Sequence, residues 1–212
     1  AVRGLQNGGV SACPKHFACN NQEVNRNYND SRLSMRALRE IYLKGFEIAV
    51  KKAKPASVMC AYNKVNSIWC SENRHLLTDV LKKDWGYEGF VISDWGAVHD
   101  IGKAVAAGLD LQMPENTKIE EKLKEALEQN KLTMEDIDAA VERVLGFVMN
   151  SKSQKETLQY DRKHQHEIAQ QIATSGIVLL KNEENTLPII PGKYKEISVI
   201  GEYAKDPLIC GQ

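Results

Sequence analysis

The stretch GYEGFVISDWGAVHD, residues 86–100, decides the fold of this protein. Its apolar run Phe90–Ile92 predicts a short strand that is buried on both faces. The run leads directly into Ser93, Asp94 and Trp95, so a carboxylate stands at the tip of a buried strand. Two interpretations of Asp94 follow. It caps the next helix, because Asp is a favoured N-cap residue, or the rigid strand presents it to a ligand.

The chain on both sides of this stretch alternates between strand-like and helix-like segments. The predicted strands are residues 9–18 (GVSACPKHFA), 56–63 (ASVMCAYN), 89–95 (GFVISDW) and 109–114 (LDLQMP). The predicted helices are residues 33–53, 71–86, 97–108, 118–130 and 134–150. In the helix 71–86, Ser71 is a suitable N-cap and Gly86 is a suitable stop.

Strands that alternate with helices are expected to be parallel, because a hairpin cannot join a parallel pair. The choice is then between an open doubly wound sheet and a β/α barrel. Polar residues sit at the carboxyl-terminal tips of all four predicted strands; a barrel gathers these tips on one face, whereas an open sheet spreads them along an edge. These residues are Lys15 and His16, Tyr62 and Asn63, Asp94 and Trp95, and Asp110.

The pattern therefore favours an α/β fold in which residues 1–150 form the C-terminal half of a (β/α)8 TIM-like barrel. A complete barrel takes about 250 residues, so we expect its first half upstream of Ala1. Residues 151–163 are polar and predict a linker. Residues 164–212 predict the incomplete beginning of an α/β sandwich domain, with a helix at 164–176 and strands at 177–181 and 196–201.

Composition argues against two classes of partner. The formal charge is zero, with 28 Lys and Arg against 28 Asp and Glu, and no cationic cluster indicates a nucleic-acid site. No apolar run approaches the roughly 20 residues that cross a bilayer. The five cysteines form an odd set without a CxxC pair, which favours reduced thiols and a cytoplasmic location. Because the chain begins with Ala1 and not Met, we expect its N-terminus to be truncated.

Asp94 and Trp95 together indicate a sugar site. An aromatic face packs on the C–H face of a pyranose while carboxyl groups carry out the chemistry. Lys15 and His16 form a second polar pair, which either recognises hydroxyls or provides a Schiff-base lysine, as in barrel lyases. A metal site is disfavoured because the spacing of its candidate ligands matches no zinc or di-metal motif. Those candidates are His16, Asp94, His99 and Asp100.

Several long motifs, in a fixed order from about Gly9 to Gly201, resemble glycoside hydrolase family 3 on its β-glucosidase side. The motifs are KHFACNNQEVNR (15–26), SVMCAYNKVN (57–66), CSENRHLLTDVLKKDWGYEGFVISDWGA (70–97), AGLDLQMP (107–114) and IVLLKNEENTLPI (177–189). Several motifs in one order are far more specific than any single match.

The resemblance implies a retaining glycoside hydrolase that releases non-reducing-end β-linked glycosyl units from a β-glucoside or related oligosaccharide. Asp94 matches the catalytic nucleophile of the family, which forms a covalent glycosyl-Asp intermediate. Lys15 and His16 match the pair that hydrogen-bonds sugar hydroxyls. The same subsite is lined by the strand that carries Met59 and Tyr62, and Trp95 follows the nucleophile.

The resemblance also implies that this chain does not hold the whole site. The acid/base glutamate of the family belongs to a later segment, and no Glu here has its context. We expect no metal and no cofactor, and we expect the remainder of the same polypeptide to complete the site, so that the chain alone has little activity. Ser67 stands where the family often has glycine. Glu23 and Arg26 lie within the first motif, and we interpret them as a structural ion pair.

Two alternatives remain at this point. One is a barrel lyase that uses Lys15 as a Schiff base. The other is a carbohydrate-binding protein without catalytic activity.

Overall fold

The computed structural model describes residues 1–151 and 161–206 of the 212 in the chain. The chain divides into two compact units, Ala1–Lys155 and Glu156–Gln212. Most of the predicted linker, residues 152–160, lies outside the described residues, and so do residues 207–212 of the second predicted domain.

The first unit contains helices and short strands in alternation. Its elements in chain order are α1 (Val2–Asn7), β1 (Asp30–Ser31), α2 (Met35–Ala37), a π-helical segment (Leu38–Tyr42), α3 (Lys44–Ala53), β2 (Ser57–Met59), β3 (Lys64–Val65), β4 (Ile68–Trp69), a 3₁₀ turn (Cys70–Glu72), a π-helical segment (His75–Asp84), β5 (Phe90–Ile92), α4 (Ile101–Ala107), α5 (Ile119–Glu128) and α6 (Met134–Asn150).

Strands β2 and β5 form the parallel pair at the centre of this unit. Val58 stands opposite Val91, and both are fully buried, as the apolar runs in the sequence predict. Single parallel bridges extend the pair on each side, from Cys60 to Phe17 and from Ile92 to Leu111. Four parallel segments therefore lie side by side in chain order, with β2 and β5 in the middle.

The two outer segments were predicted as full strands, and this prediction is wrong, because each makes only one regular bridge. Met59 donates its N–H to the carbonyl of Pro14 at 3.1 Å, but Pro14 has no N–H to continue the ladder. On the other side, the N–H of Val91 is bonded at 2.7 Å to the side chain of Asp110 instead of a backbone carbonyl. Each irregularity interrupts the ladder after one bridge.

A short antiparallel hairpin, β3–β4, lies beside this sheet and pairs through β3 with β1. No pattern in the sequence predicted this hairpin. Its two turn residues, Asn66 and Ser67, have φ of 48° and 78°. Positive φ at both positions is typical of the type I′ turns that join two-residue hairpins, in which Asn-Gly is the favoured pair.

The helix predicted at residues 71–86 begins later than predicted, and Ser71 is not its N-cap. Ser71 is buried in the 3₁₀ turn and donates its hydroxyl to the carbonyl of Ala97 at 2.8 Å. The helix starts at His75, and the side chain of Asn73 accepts the N–H of Leu76. Gly86 follows the end of the helix with φ of 64°, as predicted for the stop.

This helix supplies much of the hydrophobic core. Four of its side chains have no exposed surface, and each contributes about 1.5–3 kcal/mol by burial. They are Leu76, Leu77, Val80 and Leu81, and they belong to the same cluster as Phe17, Val58 and Val91. Trp85 packs edge-on against Phe17 with ring centroids 6.0 Å apart, so it is a packing residue of this core.

Helices α4 and α6 begin at residues that fit their sequences. Asp100 caps α4 by accepting the N–H of Lys103, and Thr133 caps α6 in a capping box with Asp136. Helix α4 lies against α5 at Gly102, where an added Cβ would be only 2.5 Å from the Cβ of Ala126.

The second unit contains α7 (Arg162–Gly176) and two 3₁₀ turns, Glu183–Asn185 and Glu202–Ala204. Asp161 caps α7 through the N–H of His164. The prediction of strands at 177–181 and 196–201 is wrong. These residues are exposed, and they pair with no strand in the part of the chain that the structure describes. A β-strand needs hydrogen-bonding neighbours and a face to bury, which local propensity does not provide. In the described parts of both units, no helix combines the length and the apolar character needed to cross a membrane.

Candidate active site

The end of β5 places Asp94 at the tip of the central pair. Ser93, just before it, has no exposed surface, and its hydroxyl bonds both backbone groups of Met113. It accepts the N–H of Met113 at 2.8 Å and donates to the carbonyl at 3.2 Å. Asp94, the next residue, is therefore fixed between two parallel segments and does not lie on a free loop.

Asp94 is not a helix cap, because α4 begins seven residues later and is capped by Asp100. One carboxylate oxygen of Asp94 accepts the N–H of Trp95 at 2.7 Å. The other lies 3.0 Å from Nε2 of His16, and 11% of the Asp94 side chain is exposed. The carboxylate is thus held by its own strand tip and approached by a side chain from the first parallel segment, on the far side of β2.

His16 is biased towards its neutral form. Burial lowers the pKa of His16, and the charges of Lys15 and Arg26 lower it further, while Asp94 and Glu23 act in the opposite direction. His16 is therefore not a full cation at neutral pH. Its Nε2 lies close to the carboxylate without adding a full positive charge beside it.

Tyr62 completes a three-residue cluster with His16 and Asp94. Its hydroxyl donates to the carbonyl of Trp95 at 3.0 Å. Burial raises the pKa of Tyr62, and the charge of the nearby Asp94 carboxylate raises it further. Side chains from three parallel segments therefore meet at one carboxylate.

Arg26 lies at the edge of this cluster, although the sequence analysis treated it only as a structural partner of Glu23. The predicted ion pair is present, with Nη1 of Arg26 2.8 Å from Oε2 of Glu23. The guanidinium carbon also lies 5.3 Å from the centroid of the Tyr62 ring. No feature of the sequence pointed to this contact, because it joins two different loops.

The remaining predicted sugar ligands lie around the same strand tips. Lys15 is exposed and directly precedes His16. Met59 is half-buried at the end of β2 and stands opposite Ile92 in the register. Trp95 is 58% exposed, so much of its ring is available for a ligand to pack against.

The four candidate metal ligands do not share one location. His16 contacts Asp94, whereas Asp100 caps α4. His99 stacks on Trp69 with ring centroids 3.9 Å apart, and Lys64 lies 4.4 Å from the centroid of the same indole. These contacts make Trp69 a packed residue and not a free platform for sugar.

Asp110 was expected among the strand-tip residues, and this expectation is wrong. Its carboxylate accepts the N–H of Val91 and lies 2.7 Å from Nζ of Lys82, with 2% of the side chain exposed. Met113, and not Asp110, reaches the level of Ser93 and Gly96. Asp110 is therefore a buried structural carboxylate at the other end of the segment.

A fully buried thiol also lies next to the site. Burial raises the pKa of Cys60 to about 12, and the backbone and charge of Asp94 contribute to its environment. The thiol is protonated at neutral pH and acts as a small apolar side chain beneath the carboxylate.

A protein-family model, the glycosyl hydrolase family 3 N terminal domain, matches residues 1–147. The chain belongs to glycosyl hydrolase family 3. The resemblance seen in the motifs is thereby confirmed.

Relatives in this family include thermostable beta-glucosidase B of Acetivibrio thermocellus, which is 49% identical over 212 residues. That alignment covers 99% of this chain and 28% of the relative. The exo-alpha-(1->6)-L-arabinopyranosidase of Bifidobacterium breve is 40% identical, with 99% of this chain and 29% of the relative covered. The family 3 chain thus spans under a third of the length of these curated relatives.

A similar solved structure is that of beta-glucosidase 3B from Thermotoga neapolitana in complex with glucose. It has a TM-score of 0.75 and 46% sequence identity, and the superposition covers 86% of this chain and 27% of that one. At this identity the likeness extends to the fold as well as to the sequence.

Proposed function

We propose that this chain provides the nucleophile side of a retaining β-glycosidase site, with Asp94 as the nucleophile. The observation that carries the proposal is the meeting of His16, Tyr62 and Asp94 at the tip of a rigid central strand. The family 3 relatives that are beta-glucosidases support the glycosidase class. We also propose that the four parallel segments are part of a (β/α)8 barrel that further segments of the polypeptide close.

In the proposed reaction, a carboxylate oxygen of Asp94 attacks the anomeric carbon of the sugar. The C1–O bond of the glycoside breaks, and the leaving oxygen takes a proton from a second carboxyl group, which the remainder of the polypeptide supplies. Water, deprotonated by that same group, then attacks C1 and releases Asp94 from the glycosyl ester. In retaining enzymes the two carboxyl groups are about 5–5.5 Å apart.

The surroundings of Asp94 suit this role. The His16 imidazole lies 3.0 Å from the carboxylate and the Tyr62 hydroxyl is nearby, and neither carries a formal charge that would pair with it. We propose that Lys15 and His16 bond sugar hydroxyls, that Met59 lines the sugar pocket, and that Trp95 packs on the pyranose. We propose that the substrate is a β-glucoside or a related oligosaccharide. Because an arabinopyranosidase is among the relatives, a panel of test substrates should contain arabinopyranosides as well as glucosides.

The Schiff-base alternative is less well supported. Lys15 is exposed, whereas a Schiff-base lysine at neutral pH needs an apolar pocket or a neighbouring cation to lower its pKa. Trapping with borohydride separates the glycosidase from the lyase, because only the lyase mechanism forms a substrate adduct on Lys15.

The test is labelling with a 2-deoxy-2-fluoroglucoside that traps the glycosyl ester, applied to the complete polypeptide that contains this chain. Mass spectrometry of the peptides is expected to find the label on Asp94. Asp94→Asn is expected to lower kcat by several orders of magnitude, whereas Asp138→Asn, on the exposed surface of α6, is the matched control. Label on another residue, or sugar binding without any label, contradicts the proposal.

We also propose a cytoplasmic location. Its support is that the four described cysteines, Cys13, Cys19, Cys60 and Cys70, are all free thiols. Alkylation of intact cells followed by mass spectrometry tests it, and an oxidised cysteine pair would contradict it.

A further inference from the structure

We propose that Ser71 and Glu72 are positioning residues that fix the loop 95–100, and with it the exposed ring of Trp95, at the edge of the site. The inference rests on the proposed function, since it gives a role in sugar binding to a turn that does not itself touch the sugar. Its basis is a pair of hydrogen bonds between segments 26 and 28 residues apart in the chain.

Two consecutive side chains of the 3₁₀ turn reach the backbone of the loop. The Ser71 hydroxyl, which has no exposed surface, donates to the carbonyl of Ala97 at 2.8 Å. A carboxylate oxygen of Glu72 accepts the N–H of Asp100 at 3.0 Å. The loop is therefore held at its middle and at its end by one short turn.

The turn is itself fixed on both sides. Cys70 is fully buried, and its N–H donates at 3.0 Å to the carbonyl of Asn63, the residue that follows Tyr62. Just before the turn, the ring of Trp69 stacks on that of His99 with centroids 3.9 Å apart. The turn thus connects the tip of the β2 segment to the loop that follows β5.

The ring of Trp95 depends on this loop because it has little packing of its own. Trp95 is 58% exposed, whereas Ala97, two residues later, is 1% exposed. The beginning of the loop is held by the Tyr62 hydroxyl on the carbonyl of Trp95 at 3.0 Å and by the N–H of Gly96 on the carbonyl of Met113 at 2.9 Å. An exposed ring moves with its backbone, so these bonds and those of the turn determine where a sugar face can pack.

The next residue of the turn segment separates a positioning role from a structural one. Asn73 is 6% exposed, and its side chain accepts the N–H of Leu76 at 3.1 Å, at the start of its own helix. That bond stays within one segment, whereas those of Ser71 and Glu72 cross to the loop. Asn73→Ala is therefore the matched control, because it also removes one hydrogen bond of a buried polar side chain.

The experiment compares Ser71→Ala, Glu72→Ala and Glu72→Gln with Asn73→Ala in the complete polypeptide. The first readout is the fluorine NMR signal of Trp95 after labelling with 5-fluorotryptophan, assigned with Trp95→Phe. Ser71→Ala and Glu72→Ala are expected to shift or broaden this signal. Glu72→Gln is expected to retain it, because the amide oxygen still accepts the N–H of Asp100, and Asn73→Ala is expected to retain it as well.

The second readout is the inhibition constant of glucose, with kcat and KM for an aryl β-glucoside. Ser71→Ala and Glu72→Ala are expected to weaken glucose binding about tenfold, as when an aromatic contact with the sugar is displaced. KM is expected to rise while kcat changes less, because the ring packs on the sugar in the ground state and in the transition state alike. Asn73→Ala is expected to lower the urea midpoint as Ser71→Ala does, but to leave glucose binding unchanged.

The outcomes separate this inference from the proposed function. An unchanged Trp95 signal in Glu72→Ala overturns the positioning role, and so does an equal change in Asn73→Ala, which would report a general loss of stability. The comparison of Glu72→Ala with Glu72→Gln decides the question even if Ser71→Ala does not fold. A shifted signal with unchanged glucose binding overturns the link between the loop and the sugar. If Asp94 takes no label but the Trp95 signal and glucose binding change as expected, the nucleophile assignment fails while the positioning of Trp95 is upheld.

Discussion

The buried pair Lys82–Asp110 is expected to be the most sensitive ionic contact in the first unit. Its side chains are 10% and 2% exposed, and Nζ of Lys82 lies 2.7 and 2.9 Å from the two carboxylate oxygens. Burial raises the pKa of Asp110 and lowers that of Lys82, and each residue offsets the effect on the other. Pairing therefore favours the ionised form of both groups against the effect of burial.

Replacement of Lys82 by Met retains the length of the side chain but removes the cation. Asp110 then keeps the N–H of Val91 at 2.7 Å and only a distant Arg143, whose Nε is 4.0 Å away. The carbonyl of Gly108 also loses its 2.7 Å bond to Lys82. Breaking a buried pair on one side costs about 3–5 kcal/mol, and we expect Lys82→Met to lower the free energy of unfolding by that amount.

The double variant Lys82→Met/Asp110→Asn provides the matched comparison. The amide oxygen at position 110 can still accept the N–H of Val91, but no unpaired charge remains. We expect it to recover about 2 kcal/mol relative to Lys82→Met, because the penalty is mostly that of an uncompensated buried charge.

Urea unfolding followed by tryptophan fluorescence measures these differences. All three tryptophans lie in the first unit, so the signal reports that unit. In Lys82→Met, burial without the cation holds the pKa of Asp110 above its unfolded value. Stability is then retained below the unfolded pKa of Asp110 and is lost as the pH rises through its folded pKa. The cost of Lys82→Met is therefore expected to shrink as the pH falls. A cost under about 1 kcal/mol that does not vary with pH would refute the reasoning.

Three further predictions concern the hairpin, the strand tip and the thiols. Ser67→Gly is expected to raise the free energy of unfolding by about 0.5–1 kcal/mol in the same urea assay, because φ of 78° suits glycine; destabilisation would contradict this. Ser93→Ala is expected to lower the free energy of unfolding by about 1–3 kcal/mol, because the backbone N–H of Met113 loses its buried acceptor, and to lower kcat. Full stability and full activity would show that the bonds between Ser93 and Met113 do not hold Asp94 in place. The third prediction uses a variant in which Cys210 is replaced by Ser. A chromogenic disulfide reagent at pH 8 is expected to react at once with the exposed Cys13 and to react with the other thiols only on unfolding. Rapid release of more than one equivalent of the chromophore would contradict this. The slow thiols are Cys19, with its pKa raised by burial to about 11, Cys60, and Cys70.

The sequence by itself determined the central pair of strands, the helices around it and the cluster of Asp94 with His16 and Tyr62. These features depend on local periodicity and on the rule that parallel strands bring their carboxyl ends together, so the pattern of residues is sufficient to predict them.

Only the tertiary structure decided which polar residue does what. Asp110 and Asp94 both follow short apolar runs, but Asp110 replaces a backbone acceptor for Val91 and pairs with Lys82, whereas Asp94 reaches the site. Arg26 reaches Tyr62 from a separate loop. The strands predicted at 177–181 and 196–201 did not form. In each case the outcome depends on partners distant in the chain, whose approach no local pattern encodes.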